Sequence, residues 1–400
     1  MAGAIGRGER NRGQAHRGQV LDLILTRKRG IHEKATRQWA AQHLATALRL
    51  GFGGEYVVDS AFDGPVYFVP DRTLLTAEAE RFGIHGPADL FGGVVPHPFV
   101  ATKSITHPAP EGARDLPDGW SPALGDALAP SVLPGVTVFN LDDARRAGRS
   151  LLASGMPIRS KPGHGIGGSG QRVVATAQEL DAAIDSLDAA AIGEAGLVLE
   201  LNLATATTYS VGVLMVGTIS LAYSGTQRTT RNHAGHEVYG GSTLRCLRGG
   251  LDDLLRAAVD ERERRAIAAS VGYDREVSRA WPQFFASRRN YDIVHGEDGA
   301  GEVRCGVLEQ SWRFGGASPA EVLALRAFDE DPGRKRICVS SCEVYDLIDV
   351  PAGAEVSFRG EDPVVGSITK YAIVEADDAP ACSAPIGDAT HDSERHGHPA

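Results

Sequence analysis

One stretch of the sequence combines a lysine with a run of glycines. Five glycines follow Lys161 within the next nine residues. Glycine lets backbone amides approach a ligand closely and form a concave array of donors, and a lysine adds a mobile positive charge. The composition therefore indicates a loop that holds phosphate. A flexible surface hairpin without a ligand is the alternative that the loop alone leaves open.

The residues after the glycines indicate which kind of phosphate loop this is. Three of the glycines match the dinucleotide spacing G-x-G-x-x-G, but that motif requires a helix that begins inside it. Here residues 171–174 favour a strand, and Thr176 starts the next helix through a capping box with Glu179. A Walker A loop places its lysine after the last glycine, whereas Lys161 comes first, and no protein-kinase motif follows. We therefore predict a hairpin tip between two strands.

A second group of residues with chemical potential lies in a predicted hairpin late in the chain. Folding that segment about residues 300–301 puts Asp292 across from Glu309 to within a residue or two, and cross-strand partners share a face. Glu309, Ser311 and Arg313 also share a face, because side chains alternate along a strand. Mg²⁺ is typically held by one or two carboxylates plus phosphate oxygens, which suits this pair. A surface Glu/Arg pair is the alternative.

Residues 224–242 are predicted to form a mobile loop with two arginines, two histidines and four glycines. Arg228 and Arg231 suit an anionic group, and plain solvation is the alternative. The two histidines are a poor metal pair, because ligands three residues apart need a helix and glycine breaks it.

The elements that must position these residues are predicted to be alternating strands and helices. Residues 20–25 predict a strand and residues 33–50 a helix, and a further strand and helix follow. This is the pattern of a small α/β domain. Residues 197–203 place leucine at every second position, which predicts a half-buried strand that carries Glu200.

The composition limits the classes of function. The 400 residues are 42% hydrophobic and 23% charged, as in an ordinary globular chain of about two or three domains. The formal net charge of −10 lacks the broad positive field that nucleic acid or an anionic membrane requires. No apolar run reaches the length of a membrane span, and the first residues lack the apolar core of a signal peptide. We therefore predict a cytoplasmic protein with no nucleic-acid or membrane partner.

The order of these features resembles the ATP-grasp superfamily over about residues 20–330. Lys161 and its glycine loop resemble the second ATP lysine and the flexible loop that closes over the triphosphate. Lys103 sits where the first ATP lysine is expected. The strand with Glu200 and Leu201 resembles the hinge that meets adenine. The nucleotide-binding residues that the resemblance implies are Lys103, Lys161, Gly165, Gly167, Gly168, Ser169, Gly170, Glu200 and Leu201.

The acidic hairpin resembles the metal-binding end of the same superfamily. Asp292 matches its metal-binding aspartate, and Glu309-x-Ser311-x-Arg313 matches its Glu-x-Asn-x-Arg-type ending. The resemblance implies ATP and Mg²⁺ as cofactors, with Asp292, Glu309 and Ser311 as metal ligands. Ser311 stands where the superfamily usually has asparagine. Arg228 and Arg313 are the residues expected to grip the anion that develops during catalysis.

The resemblance also implies a mixed α+β and α/β fold, in which an N-terminal α/β domain precedes two α+β subdomains that clamp the nucleotide. The expected divisions are a disordered N-terminus (1–18), an N-terminal α/β domain (19–110), subdomain A with the glycine hairpin (111–200), subdomain B with the metal-binding hairpin (201–330), a small β-rich appendage (331–378) and a disordered tail (379–400).

The activity that the resemblance implies is an ATP-dependent ligation. Such an enzyme activates a substrate carboxylate as an acylphosphate for attack by an amine or a thiol, so its partners are small molecules. A small-molecule kinase with the same ATP site is one alternative, and a nucleotide-binding regulator without turnover is another. A homo-oligomer is left open.

Overall fold

The computed structural model describes residues 18–26, 30–58, 60, 62–164 and 170–376 of the chain. The first elements alternate as predicted, and they are β1 (Gln19–Leu23), α1 (Ile31–Leu48), β2 (Gly51–Glu55), β3 (Val66–Pro70) and α2 (Thr76–Arg81). The three strands form a parallel sheet in the order β2-β1-β3, and the alanine and leucine stripe of α1 packs on it. A second small sheet has the order β13-β5-β4 and consists of β4 (Leu74–Leu75), β5 (Gly93–Val95) and β13 (Phe285–Ala286).

A four-stranded antiparallel sheet carries the glycine hairpin. Its strands are β6 (Gly135–Val138), β7 (Ile158–Pro162), β8 (Arg172–Val174) and β9 (Leu197–Leu201), in the order β6-β9-β7-β8. The helices of this region are α3 (Pro122–Leu128), α4 (Leu141–Leu152), α5 (Ala177–Asp185) and α6 (Ala189–Ala195). β7 pairs antiparallel with β8, which confirms the predicted hairpin. Thr176 accepts a hydrogen bond from the Glu179 backbone N–H and so caps α5.

β9 is buried along its whole length, whereas alternation predicted burial on one face only. The strand lies between β6 and β7, and its leucines pack in a core with α4 and α5. Its other face carries Glu200 and is covered by a short 3₁₀ segment, Lys103–Thr106, and by His107. Sequence alternation did not predict this second cover because it comes from a distant part of the chain.

The largest sheet has eight strands in the described part of the chain. Its strands are β10 (Thr205–Val216), β11 (Ile219–Arg231), β12 (Glu237–Arg248), β14 (Arg288–Glu297), β15 (Val303–Ser311), β16 (Arg336–Val344), β17 (Glu355–Asp362) and β18 (Gly366–Val374). Their order is β15-β14-β10-β11-β12-β16-β18-β17. The accompanying helices are α7 (Leu251–Arg256), α8 (Glu261–Ala280) and α9 (Ser318–Glu330).

The prediction of a mobile loop at residues 224–242 is wrong. Most of the segment belongs to β11 and β12, which pair from Leu221 opposite Arg248 to Arg231 opposite Glu237. Two of its glycines are needed for close strand packing rather than for a loop. A Cβ at Gly225 would lie 1.9 Å from the carbonyl oxygen of Thr243, and one at Gly241 would lie 2.1 Å from that of Ser341.

The segment expected to be a β-rich appendage, residues 331–378, contributes three strands to the same eight-stranded sheet. β16 pairs antiparallel with β12, and β18 pairs with both β16 and β17. Ile337 and Val339 of β16 pack in the core that α1 and α9 form on this sheet. The strands therefore extend the sheet, because their apolar face continues the core beneath α9. The other predicted domain boundaries stay predictions.

Two large hydrophobic cores cover the eight-stranded sheet. One contains side chains of α1 and α9, and the other contains side chains of α8 and of residues 95–105. Within the described ranges, no helix is both long and apolar enough to cross a membrane.

Candidate active site

A cavity of about 1230 Å³ lies where the four-stranded sheet faces the eight-stranded sheet. Lys161 and Glu200 line it from the small sheet, and Asp292 and Glu309 line it from the large one. Residues more than 130 positions apart in the chain therefore meet in one space.

Lys161 lies near the end of β7, with its ammonium group buried between the two sheets. Its Nζ is 2.6 Å from Glu200 Oε1 and 3.3 Å from the carbonyl oxygen of Leu308 on β15. The second oxygen of Glu200 is 3.0 Å from His107 Nε2. Burial lowers the pKa of Lys161, against the opposite effect of Glu200. Burial also favours the neutral form of Glu200, but Lys161 and His107 outweigh it and lower the pKa of that carboxyl.

Part of the predicted nucleotide site lies outside the described residues. These are Gly165, Gly167, Gly168 and Ser169, whereas Gly170 is described and has a φ of 73°. Leu201 lines the cavity, but its backbone N–H donates to the carbonyl of Pro134. Any contact of Leu201 with adenine therefore involves its other atoms.

The acidic hairpin has the predicted register, because Asp292 of β14 pairs with Glu309 of β15. A bulge follows Asp292, so the two strands lose their simple register immediately after this pair. Lys103, which is 4% exposed, places its Nζ 2.5 Å from Glu309 Oε2. The resemblance to the ATP-grasp superfamily implies that Lys103 is a phosphate ligand; the structure gives it a carboxylate partner on β15.

Asp292 is the half-buried carboxylate on the β14 side of the acidic pair. Its Oδ1 accepts a hydrogen bond of 2.6 Å from Gln227 Nε2 on β11. Burial and the charge of Glu309 together raise the pKa of Asp292 to about 7. Two carboxylates forced together in this way favour either a proton or a metal ion between them.

The acidic pair fits Mg²⁺ by its donor type and number. Carboxylate oxygens are the hard ligands that Mg²⁺ prefers, and the ion usually needs only one or two of them when a nucleotide supplies phosphate oxygens. The described residues contain no group of three His, Cys, Asp or Glu side chains that could hold a metal by themselves.

Ser311 and Arg313 follow Glu309 as predicted, but their neighbours differ from those of the acidic pair. Arg288 Nη1 lies 3.4 Å from Ser311 Oγ and 2.6 Å from the carbonyl oxygen of Arg313. Arg288 itself is buried in an ion pair with Glu321 of α9, at 2.8 Å. A metal ion bound by Ser311 would lie beside this positively charged guanidinium, which disfavours Ser311 as a metal ligand. The role of Ser311 as a ligand stays a prediction.

Arg228 lines the cavity from β11, the strand that replaces the expected loop. Its Nη2 donates to the carbonyl oxygen of Ser341 at 3.0 Å and contacts Cys342 Sγ. The guanidinium is therefore held by neutral groups of β16, and its role toward an anion stays a prediction.

Sequence reasoning missed several polar residues around the cavity, among them His107, Arg159, Gln227 and Arg288. Arg159 lines the cavity and donates to Asn202 Oδ1 at 2.8 Å. A signal for Arg159 was present, because it precedes Lys161 by two positions on one strand and so shares its face. No local pattern marks the other three residues, whose partners lie far away in the sequence.

These two facing sheets with paired lysines and acids form an ATP-grasp fold. The chain is similar to the biotin carboxylase domain of the Hydrogenobacter thermophilus 2-oxoglutarate carboxylase, solved with MgADP, ADP and bicarbonate. The TM-score is 0.52 at 12% identity, over 90% of this chain and 87% of that one. D-alanyl-alanine synthetase A of Vibrio cholerae matches with a TM-score of 0.48 at 13% identity, over 78% of this chain and 96% of that one.

The sequence matches the family described as "Protein of unknown function (DUF3182)" over residues 20–372, and the chain belongs to this family. No curated protein matches the sequence.

Proposed function

We propose that this protein is an ATP- and Mg²⁺-dependent ligase that activates a small carboxylate as an acylphosphate and joins it to an amine or a thiol. The observation that carries the proposal is the meeting of two charge clusters in one cavity: Lys161 with Glu200, and Asp292 with Glu309. The ATP-grasp fold supports it, since a similar structure holds MgADP.

In this proposal Lys161 and Lys103 hold the phosphates of ATP. Asp292 and Glu309 hold Mg²⁺, which when bound supplies positive charge against the transferring phosphoryl group. Lys103 pairs with Glu309 at 2.5 Å in this structure, so it has to exchange that partner for a phosphate oxygen when ATP binds. Neither group is left without an opposite charge in this exchange, because Glu309 gains the metal ion as Lys103 gains the phosphate.

The reaction then takes two steps. A carboxylate oxygen of the substrate attacks the γ-phosphorus, and the bond between that phosphorus and the bridging oxygen of ADP breaks, which yields ADP and an acylphosphate. The nitrogen of an amine next attacks the acyl carbon, phosphate leaves with the electron pair of the carbon–oxygen bond, and the nitrogen loses a proton to solvent. Arg313 and Arg228 are proposed to hold the anions that develop.

The cavity has room for substrates beside the nucleotide. Its volume of about 1230 Å³ exceeds the roughly 300–1,000 Å³ of typical small-molecule pockets. Away from Lys161 it extends to the start of α1 and to β18, where Lys370 Nζ lies 2.8 Å from Glu343 Oε1. We assign this end to the carboxylate and amine substrates.

Trapping with hydroxylamine tests the proposal. The full chain is incubated with ATP, MgCl₂, hydroxylamine and pools of amino acids or of other small carboxylic acids. A ligase produces ADP together with a hydroxamate, because hydroxylamine intercepts the acylphosphate. ADP without hydroxamate would instead favour the kinase alternative. ATP binding without turnover in any pool would favour the regulator and overturn the ligase.

The exposed Glu302 offers a matched control for this assay. It lies in the same hairpin as Glu309 and pairs with Arg304 outside the cavity, with a side chain that is 65% exposed. Glu302→Gln should leave hydroxamate formation unchanged, while Glu309→Gln should remove it. Equal activity of the two variants would contradict the metal assignment.

A further inference from the structure

His107 is a buried histidine next to the candidate ATP site. It follows the 3₁₀ segment that carries Lys103 and is 1% exposed. Its Nε2 lies 3.0 Å from Glu200 Oε2, and the other oxygen of Glu200 lies 2.6 Å from Lys161 Nζ. Glu200 therefore bridges the imidazole and the ammonium group, and all three side chains are withdrawn from solvent.

The protonation states within this cluster follow from burial. Desolvation lowers the pKa of His107, in spite of the neighbouring carboxylate. A neutral imidazole beside an ionised carboxylate carries its proton on the nitrogen that faces the carboxylate. His107 therefore donates from Nε2 to Glu200 and adds no charge of its own.

Residues 102–106, which precede His107, are held by hydrogen bonds to several other elements. Gln310 Nε2 on β15 donates to the carbonyl oxygen of Thr102 at 2.6 Å. Ser104 donates to the carbonyl oxygen of Ala195, and Thr106 Oγ1 lies 3.3 Å from Tyr273 Oη on α8. The segment is thus attached to β15 of the large sheet, to α6 and to α8. His107 meets Glu200 from a rigid support.

We propose that His107 is a positioning residue for the nucleotide, which rests on the proposed ATP site: by holding Glu200 from the side opposite Lys161, it fixes the ammonium group of Lys161 where it meets the phosphates. His107 itself does not contact the nucleotide. Without its donor, Glu200 is held from one side only, and Lys161 loses the fixed anion that sets its direction. Because Lys161 and His107 engage both carboxylate oxygens of Glu200, contact with adenine is left to other atoms of β9, and the consequence is weaker binding of phosphate but not of adenosine.

Nucleotide titration of full-length variants tests this role. His107→Phe keeps a ring but removes the donor, whereas His107→Gln keeps an N–H near the position of Nε2. We expect His107→Phe to weaken MgADP binding by about tenfold or more, the range for a hydrogen bond to a charged group. Adenosine binding should stay the same, and His107→Gln should bind MgADP nearly as the wild type does. Equal loss for adenosine and MgADP would overturn the proposal.

A double-mutant cycle separates positioning from packing. In a Lys161→Met background, His107→Phe should cause no further loss of MgADP binding, because the group that it positions is gone. Full additivity of the two substitutions would overturn the proposal. His43→Phe removes a similar histidine–glutamate contact, that of His43 Nε2 with Glu355 Oε2 at 3.1 Å, away from the cavity and should leave MgADP binding intact. A loss as large as that of His107→Phe would overturn the specific role of His107.

A replacement variant and two outcomes complete the test. If His107→Phe does not fold, His107→Asn replaces it, because its amide is too short to reach Glu200 and the same selective loss of MgADP is expected. If the wild type binds neither ADP nor ATP, the proposed function fails and this role fails with it. If the wild type binds MgADP and His107→Phe or His107→Asn binds it equally well, only the positioning role fails.

Discussion

The two charge clusters of the cavity are balanced in different ways. Lys161 and Glu200 neutralise each other, with the uncharged His107 as a second donor to the carboxylate. At the other end Lys103 pairs with Glu309, and the second cation that acts on Asp292, Arg288, is already paired with Glu321. The charges of the first cluster cancel within the protein, and we call it the closed cluster. The second cluster has one negative charge in excess, and we call it the open cluster. A closed cluster can be stable while buried without a ligand, whereas an acidic excess is relieved by a proton or a metal ion.

The largest expected effect is that of opening the closed cluster. Lys161→Met leaves Glu200 buried with one neutral partner, and removing one member of a buried ion pair typically costs about 3–5 kcal/mol of unfolding free energy. Urea denaturation measures this loss, and MgADP binding should weaken at least as much as in His107→Phe while staying measurable. The double variant Lys161→Met/Glu200→Gln should recover much of the stability but not the affinity for MgADP. An unchanged denaturation midpoint in the single variant would show that the cluster is not closed.

The next effect concerns the open cluster. Glu309→Gln keeps the shape of the side chain and removes its charge, so the transferring phosphoryl group loses a metal ligand. We expect ATP turnover to fall by about 10²–10³, as for other losses of a well-placed electrostatic group, with little change in melting temperature. Phosphate release and circular dichroism measure the two quantities. Full activity of the Glu309→Gln variant would contradict the assignment of Glu309 as a metal ligand.

A smaller effect tests whether the open cluster is strained by its charge. Burial and Glu309 raise the pKa of Asp292 from 3.8 to about 7, so the folded protein holds a proton that the unfolded chain has released between these values. The contribution of this carboxyl to stability therefore falls as the pH rises through that window. Asp292→Asn should exceed the wild type in unfolding free energy by about 1–3 kcal/mol at pH 8 without divalent ions.

The same comparison at low pH and with Mg²⁺ sharpens this result. Below the lower end of the titration window the difference should vanish, because Asp292 is then neutral in both states. MgCl₂ at pH 8 should stabilise the wild type more than Asp292→Asn. Equal stability of the two proteins at pH 8 would mean that the acidic pair carries no electrostatic strain.

The smallest effect is expected at Ser311. Because its hydroxyl faces Arg288 at 3.4 Å, Ser311→Ala should reduce ATP turnover by less than about threefold, under roughly 0.7 kcal/mol. A titration of activity against MgCl₂ provides the control, since its midpoint should not move. A loss of more than tenfold together with a shifted midpoint would show that Ser311 binds the metal ion and belongs to the open cluster.

Local patterns were sufficient for the parts of the site that lie within one hairpin. The spacing of glycines and the strand after them indicated the β7–β8 hairpin, and folding the later hairpin about residues 300–301 placed Asp292 opposite Glu309. Both follow from residues close together in the sequence, where strand geometry alone determines which side chains share a face.

Packing between distant segments determined the features of the fold and site that local patterns did not predict. The glycines of residues 224–242 indicated a loop, but close contact with neighbouring strands made them part of β11 and β12. The partner of Lys103 and the donor from His107 to Glu200 depend on how a 3₁₀ segment docks between two sheets. Sequence spacing carries no information about such docking, because the free energy that sets it comes from burial and hydrogen bonds between segments far apart in the chain. Residue types thus predicted a phosphate loop and an acidic pair, and tertiary packing balanced the charge of one cluster and left the other open.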